Sequence, residues 1–372
     1  MYDPRVKKVR ETLAEKNIDS LLVSNFYNIF YLTGFKTLTT DEREAFILIT
    51  KNSVYLFSDE RYISKNFPAS PAGRQLPISN FQCRLIEPGK GLIFHLQEII
   101  KSEQIKTLGF EAEDLKYSEY QKIKEFLGNV NLTSTDRLII TIREIKDQQE
   151  IDLVEKACEI GDQCLSDIIK IIKFGVSEKE IAFKMEMWIK EKGYDISFDP
   201  IVAIDANSAV AHYNTKTGEG KIKNGSVILL DFGVKYKDYL SDMTRMVFFG
   251  KSNNEVENAY QVLLNAQEKT VEKVADFDFL KDIDNFCRKQ ITDSRLPNYP
   301  HSTGHGVGLE IHEYPKVSFN SPDRKIIGQV ITIEPGVYFP GKFGMRVEDM
   351  VVIDKDLKPK ILTKFPKTLL II

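Results

Sequence analysis

Three of the chain's five histidines, His301, His305 and His312, fall within twelve positions, and Glu334 and Glu348 follow inside the apolar segments VITIEPGVYF and GMRVEDMVVI. A carboxylate on an apolar strand is costly to bury as an ion unless a cation or a donor compensates it. Two of them beside clustered imidazoles therefore point to a metal site. Upstream, Asp231 ends the run VILLD and Asp242 precedes MTRMVFF, with a Lys-rich turn at Lys235 and Lys237 between them. Folded as a hairpin, that stretch brings the two aspartates to about 5 Å on adjacent strands, where both can face one ion. Either aspartate alone reads as a turn cap; together with the downstream cluster they read as ligands.

His301 and His305 are four apart, a spacing that on a helix suits two ligands on one face. Gly304, Gly306 and Gly308 argue against helix, each costing about 1 kcal/mol relative to Ala. In a strand the two histidines share a face, and alternate glycines leave room for a close backbone or ligand approach. His312 has the opposite parity, so a bend or bulge must intervene for it to reach the same pocket. The candidate set of Asp231, Asp242, His305, Glu334 and Glu348 is oxygen-rich and suits manganese, iron, cobalt or zinc rather than a thiolate site. Two divalent cations balance its four carboxylates, and ions about 3.5–4 Å apart can hold a bridging hydroxide as nucleophile.

The elements that must position these residues follow from periodicity. Residues 4–17 have helical spacing (Val6, Val9, Leu13), IDSLLVSN reads as a buried strand, and AFILIT and SVYLFSD read as strands joined at Lys51-Asn52. LIFHLQEIIKSEQ resumes a helix before the strand TLGFEA, an α/β pattern closing near residue 135. A long amphipathic helix follows (Ile151, Val154, Ala157, Ile160, Leu165), then SEKEIAFKMEMWIKEKG, with a capping box at Ser177 and Glu180. In that helix Ile181, Met185 and Trp188 recur at core spacing rather than forming a cofactor box. Strands then dominate (FDPIVAI, VILLDFGVKY, YLSDMTRMVFF), and after the helix EVENAYQVLLNAQEKTVEKV come the segments carrying His305, Glu334 and Glu348. Antiparallel strands interrupted by helices predict an α+β domain with helices on one side of a curved sheet.

LDFGVKYKDYLSDMTR, HSTGHGVGLEIHEYP, ITIEPGVY and GMRVEDM resemble the pita-bread metallopeptidases, in particular the Xaa-Pro peptidases, aminopeptidase P and prolidase. NIFYLTGF and DERY are similar to that subgroup's NxxYLTGF and DxRY signatures. Methionine aminopeptidase shares the GHG and EPG elements but not SDMTR, RVEDM or the preceding domain. The resemblance implies a creatinase-like α/β domain over 1–135 and a catalytic pita-bread domain over 136–372, α+β with a curved, mostly antiparallel sheet. Asp231 and Asp242 would bind one metal, and Asp242 and Glu348 would bridge to a second that His305 and Glu334 complete. Glu334 would carry the proton of the bridging water, His212 and His312 would contact substrate, His301 and Arg346 would orient substrate and ligands, and Phe198 and Ile311 would line the proline pocket. Two departures stand out: Ile204-Asp205 where relatives usually have Ser-Gly, and Ala211 where proline commonly precedes the histidine.

The implied chemistry agrees with the residue count. An Xaa-Pro bond has no amide hydrogen and its ring fixes the backbone, so a dedicated enzyme must polarise the carbonyl and grip the ring. The expected function is an Xaa-Pro aminopeptidase using two divalent ions, manganese foremost, with cobalt, zinc or iron as alternatives. A dipeptidase is the competing reading, since it needs a cation for the free proline carboxylate and the motif segments offer only Arg346, with Arg245 nearby. A non-catalytic peptide-binding module and a metal-free amidinohydrolase resembling creatinase both fit poorly with five intact ligand positions.

Composition narrows the partners. A net charge of −3, with Lys7, Lys8, Lys101 and Lys106 dispersed among acids, provides no basic field for nucleic acid. No apolar run reaches the roughly 20 residues of a membrane span, and MYDPRVKKVRETLAEK lacks a signal peptide's apolar region, so a cytoplasmic protein acting on proline-containing peptides is expected. Cys83, Cys158, Cys164 and Cys287 form no CxxC pair and read as free thiols; His95, far from the cluster, reads as structural. Family resemblance adds a homodimer whose N-terminal domain borders the cleft and limits peptide length.

Overall fold

The computed structural model describes residues 2–40, 42–63, 81–251 and 253–372, and the chain divides into two compact units, Met1–Arg143 and Glu144–Ile372. The first contains α1 (Tyr2–Glu15), β1 (Ser20–Val23), α2 (Phe26–Thr33), β2 (Ala45–Thr50), β3 (Val54–Ser58), β4 (Phe81–Leu85), α3 (Leu92–Glu103), β5 (Thr107–Phe110), α4 (Tyr117–Leu127), β6 (Asn131–Ser134) and α5 (Leu138–Arg143). Among the described residues its six strands form one sheet in the order β4-β3-β2-β1-β5-β6. β1, β2 and β3 are buried at every position, which is why they read as unbroken apolar runs. α3 and α4 bring Leu96, Ile99, Ile123 and Leu127 onto Leu22, Leu48 and Phe57, while α1 packs on α2, α5 and β2.

The NIFYLTGF segment folds as α2 and its stop. Gly34 takes φ 72° and its N–H donates to the Phe30 carbonyl at 2.7 Å, a left-handed cap that a side chain resists. In DERY, Tyr62 donates to Glu44 at 2.7 Å and Arg61 pairs with Asp59 at 2.6 Å. His95 is buried with Nε2 2.9 Å from the Leu85 carbonyl, a packing role. α5 belongs to the first unit, so the units divide eight residues beyond the last strand-based boundary expected at 135.

The second unit runs α6 (Gln148–Ile168), α7 (Glu178–Glu191), β7 (Asp195–Ile196), β8 (Ile201–Ile204), β9 (Ser226–Phe232), β10 (Val234–Tyr236), β11 (Tyr239–Leu240), β12 (Met243–Phe249), α8 (Asn254–Lys273) and α9 (Leu280–Asp293). It continues with β13 (Gly304–Gly306), β14 (Glu313–Val317), β15 (Val330–Ile333), β16 (Gly336–Phe339), β17 (Phe343–Arg346), β18 (Asp349–Ile353), β19 (Pro359–Ile361) and β20 (Leu370–Ile371). Capping boxes start the first two helices: Asp147 accepts from Glu150 N at 2.9 Å, and Ser177 from Glu180 N at 3.3 Å. Each N-cap contributes about 1 kcal/mol.

β8, β9 and β12 form an antiparallel core that β20 joins in parallel. Alternation along these strands sorts their side chains. Ile228, Leu230 and Val247 pack with Ile160, Leu165, Ile181 and Met185 of α6 and α7. Leu229, Met246 and Phe248 share the opposite core with Tyr260 and Leu263 of α8. Helices therefore meet both faces of this sheet rather than one, because the central strands are apolar on both faces. Met185 is core as expected, and the partly buried Trp188 donates Nε1 to Asp167 at 2.9 Å. A second antiparallel sheet, β14-β13-β15-β18-β19, and the β16–β17 hairpin carry the remaining site segments. The four cysteines are free, and among the described residues no helix is long and apolar enough to cross a membrane.

Candidate metal centre

The alternation that buries Leu229 and Met246 on one face carries that face to the aspartates. Thr244 lies opposite Asp231 in the β9–β12 register, and Asp242, two residues before Thr244, shares its side. Asp242 N–H donates to Met350 Sδ at 3.0 Å, which fixes the turn into β12. Glu348 sits between β17 and β18, 1% exposed, and accepts from Thr244 Oγ1 at 2.7 Å. Glu334 follows β15, and its N–H donates to the Thr303 carbonyl at 2.8 Å.

The histidine segment departs from a continuous strand. Only Gly304–Gly306 is extended; His301 precedes it in a bend. Asp284 of α9 accepts from Thr303 N at 3.0 Å, and Arg288 donates to the Tyr299 carbonyl at 2.8 Å and the His301 carbonyl at 2.5 Å, so side chains rather than a ladder hold the backbone there. A Cβ at Gly304 would run into Thr332 O and one at Gly306 into Tyr314 O, so these glycines admit neighbouring backbone. The register shifts between His305 and Gly306, the bulge that the parity of His312 requires, and the rings of His305 and His312 come to 4.4 Å.

A cavity of about 330 Å³ is lined by Phe198, His212, Asp231, Asp242, His301, His305, Ile311, His312, Glu334, Arg346 and Glu348, so every site residue singled out in the sequence borders one space. Ile201, Ser302 and Lys316 complete its wall. Asp242, His305 and Glu348 offer ligand atoms that all lie within 4.8 Å of one another. His305 Nδ1 lies 3.1 Å from the Gly306 carbonyl, leaving Nε2 to face Glu334 at 3.2 Å and Asp242 at 3.6 Å.

The donor set fits divalent metal. Asp231 Oδ1 and Glu348 Oε1 are buried without a hydrogen-bond partner, a cost that a cation removes. Burial and neighbouring carboxylates push Asp242 and Glu348 far above the usual carboxylate range, and burial raises Asp231 against the pull of Arg346. Glu334 behaves oppositely: burial opposes its ionisation, but the hydrogen bond and charge of His305, with His301 and Arg346, hold it down to about 2. Four carboxylates in one pocket with such strain call for positive charge.

Part of that charge comes from Arg346, 3% exposed. Its Nη2 pairs with Asp231 Oδ2, Nη1 donates to Tyr338 Oη at 2.9 Å and to the Ala211 carbonyl at 3.2 Å, and Nε donates to Thr244 at 3.1 Å. Tyr338 in turn lies 2.9 Å from His301 Nε2, and burial lowers the His301 pKa. A neutral His301 that donates from Nδ1 to the Ser302 carbonyl, 2.9 Å away, and accepts from Tyr338 satisfies every contact. Tyr338 and Thr244 lie inside quoted motifs, yet nothing in their spacing marks them as linkers; the strand register does. Arg245 is likewise committed, to Asp349 at 2.8 Å and to the Phe365 and Glu348 carbonyls. Lys316 was also missed. It stands opposite His305 in the β13–β14 register, exposed, and forms no ion pair among the described residues.

One departure before His212, Asp205, also acquires a reason. Asp205 has φ 52°, the left-handed region where glycine is easiest and aspartate is tolerated. Its Oδ1 accepts from Val227 N at 3.0 Å, tying the turn to β9.

Residues 5–145 match the model of the Creatinase/Prolidase N-terminal domain, and residues 152–355 match that of metallopeptidase family M24. The Xaa-Pro dipeptidase of Pyrococcus horikoshii is 33% identical over 100% of this chain and 99% of its own length. Among solved structures, an Xaa-Pro dipeptidase from Bacillus anthracis superposes with TM-score 0.88 at 31% identity, covering 99% of both chains. An X-Pro aminopeptidase from Thermotoga maritima superposes with TM-score 0.83 at 31% identity, covering 96% of this chain and 98% of its own. With both halves matched and full-length relatives above 30% identity, the chain belongs to metallopeptidase family M24, among its two-domain pita-bread Xaa-Pro peptidases.

Proposed function

We propose that this chain is an Xaa-Pro dipeptidase with a dinuclear centre held by Asp231, Asp242, His305, Glu334 and Glu348. One observation carries the reading: the cavity that gathers buried carboxylates with orphaned oxygens also bears Lys316, a cation not engaged in an ion pair among the described residues. A dipeptide brings a free carboxylate next to its scissile bond, and Lys316 can receive it. Arg346 and Arg245, the cations favoured from sequence, are already held by carboxylates and carbonyls. The names of the Pyrococcus and Bacillus relatives support the dipeptidase reading over the aminopeptidase expected from the motifs.

When bound, the two ions supply Lewis-acid polarisation of the scissile carbonyl and activation of water. The chain's own residues do the rest. Glu334, held ionised by its neighbours, takes up a proton and passes it to the leaving proline nitrogen. His312, kept neutral by burial and by His305, donates with His212 to the developing oxyanion. Phe198 and Ile311 flank the proline ring, and the Arg346–Tyr338–His301 chain ties His301 on the cavity wall to Asp231. Manganese is the proposed ion on the oxygen-rich ligand set; a homodimer in the cytoplasm is the proposed setting on family resemblance.

Steady-state kinetics on Ala-Pro and Ala-Pro amide test the role of the carboxylate. A hydrogen bond to a charged group contributes about 1.5–3 kcal/mol, so the amide should lose about 10–150-fold in kcat/KM, and Lys316→Met should abolish most of that difference. Equal hydrolysis of acid and amide by the unaltered protein would refute the dipeptidase assignment.

A further inference from the structure

Glu178, the first residue of α7, is 0% exposed and, among the described residues, has no cationic partner. Its carboxylate is nonetheless fully engaged. Oε1 accepts from Ile204 N at 2.7 Å and Asn207 Nδ2 at 2.9 Å; Oε2 accepts from Tyr213 Oη and Gly220 N, each at 3.0 Å. These donors lie between 26 and 42 residues away in the chain and all belong to one excursion, the segment 204–220 that leaves β8 and returns toward β9. Both ends and two interior points of that segment thus converge on a single side chain.

The glycines of the segment serve the same contact. A Cβ at Gly220 would lie 2.5 Å from Glu178 Oε1, and one at Gly218 would collide with Tyr213 Oη and Glu178 Oε2. Burial, then the hydrogen bond to Glu178, pushes the Tyr213 phenol up to about 12, so it remains a donor at neutral pH. His212 stands in the middle of the excursion and on the wall of the metal cavity. The residue before it, Ala211, is held through its carbonyl by Arg346, and the residue after it, Tyr213, is held by Glu178.

We infer that Glu178 is a positioning residue for catalysis: it clasps the 204–220 segment so that His212, pinned between Arg346 and Glu178, presents its imidazole to the substrate. This rests on the reading of His212 as a substrate contact. Glu178 itself does not reach the cavity, and its effect passes through the two residues that flank His212. A carboxylate suits the task because four convergent donors satisfy an anion without a cation that would pull it elsewhere. A misplacement of about 1 Å at such a group costs on the order of 100-fold in rate.

A double-mutant cycle tests this on the metal-loaded, full-length protein, with Ala-Pro turnover, bound metal and thermal unfolding measured for each variant. Glu178→Gln replaces one acceptor oxygen by an amide that faces donors; it should lower kcat about 100-fold with bound metal unchanged. In the His212→Ala background the same substitution should change kcat less than about twofold, because the imidazole it positions is gone. Equal fold-losses in both backgrounds, or no loss in the first, would overturn the inference. Should Glu178→Gln fail to fold, Tyr213→Phe, which removes one hydroxyl, carries the same cycle with a smaller loss in the first background and none in the second. Full activity of His212→Ala alone would instead remove the reading of His212 on which the inference stands.

Discussion

Arg346→Met removes a guanidinium that is 3% exposed and bonded to Asp231, Tyr338, Thr244 and the Ala211 carbonyl, while keeping most of the side-chain volume. In metal-free protein the consequence falls on Asp231. Its Oδ1 already lacks a partner, and Oδ2 then loses its cation, so a carboxylate 7% exposed is left without compensation. Breaking a buried pair from one side costs about 3–5 kcal/mol. With divalent ions bound, the ions neutralise Asp231 themselves, and the loss should shrink toward the roughly 1.5–3 kcal/mol typical of a hydrogen bond from a charged group to a neutral acceptor. Urea unfolding followed by tryptophan fluorescence reads this cleanly, since the chain's single tryptophan, Trp188, lies in α7 of the second unit. Wild type and variant are compared after chelation and after manganese loading. An equal loss in both states would mean that metal and Arg346 do not compensate the same carboxylate.

Asp242→Ala and Glu348→Ala should each release bound metal and abolish Xaa-Pro hydrolysis, because both belong to the cluster whose ligand atoms lie within 4.8 Å; elemental analysis with a parallel assay checks this, and an active variant with full metal content counts against it. His312→Ala should keep its metal and lose turnover by about 3 kcal/mol, the usual cost of one transition-state donor, which is on the order of 100-fold in kcat; wild-type turnover with Ala-Pro would remove His312 from the mechanism.

The second unit shows where sequence reading succeeds and where it stops. Period-two alternation in VILLD and MTRMVFF already places Asp231 on the face of Leu229 and Asp242 on that of Met246, and the structure brings both to one cavity. The bulge demanded by the parity of His312 is present between His305 and Gly306. His301 is different, because Arg288 and Asp284 hold the turn before β13, and contacts made by side chains of α9 leave no period to read. α9 itself was passed over although Leu280, Ile283, Cys287 and Ile291 recur on one face. Tyr338, Thr244 and Lys316 escaped for a common reason: each matters through the residue across from it or beyond it, and cross-strand register is not local information. Glu178 carries no local signal, since its four donors come from a segment that begins 26 residues later.

A dinuclear Xaa-Pro dipeptidase is tested by hydrolysis of Ala-Pro and Ala-Pro-Ala with the purified protein, stripped with chelator and then titrated with manganese while bound metal is counted. The stripped protein should show no turnover, and recovery should be complete near two ions per chain. The dipeptide should be the preferred substrate by at least about tenfold in kcat/KM, the lower bound set by one hydrogen bond to its carboxylate. Full activity without metal would rule out the metal centre, and cleavage of Ala-Pro-Ala as efficient as that of Ala-Pro would rule out the dipeptidase.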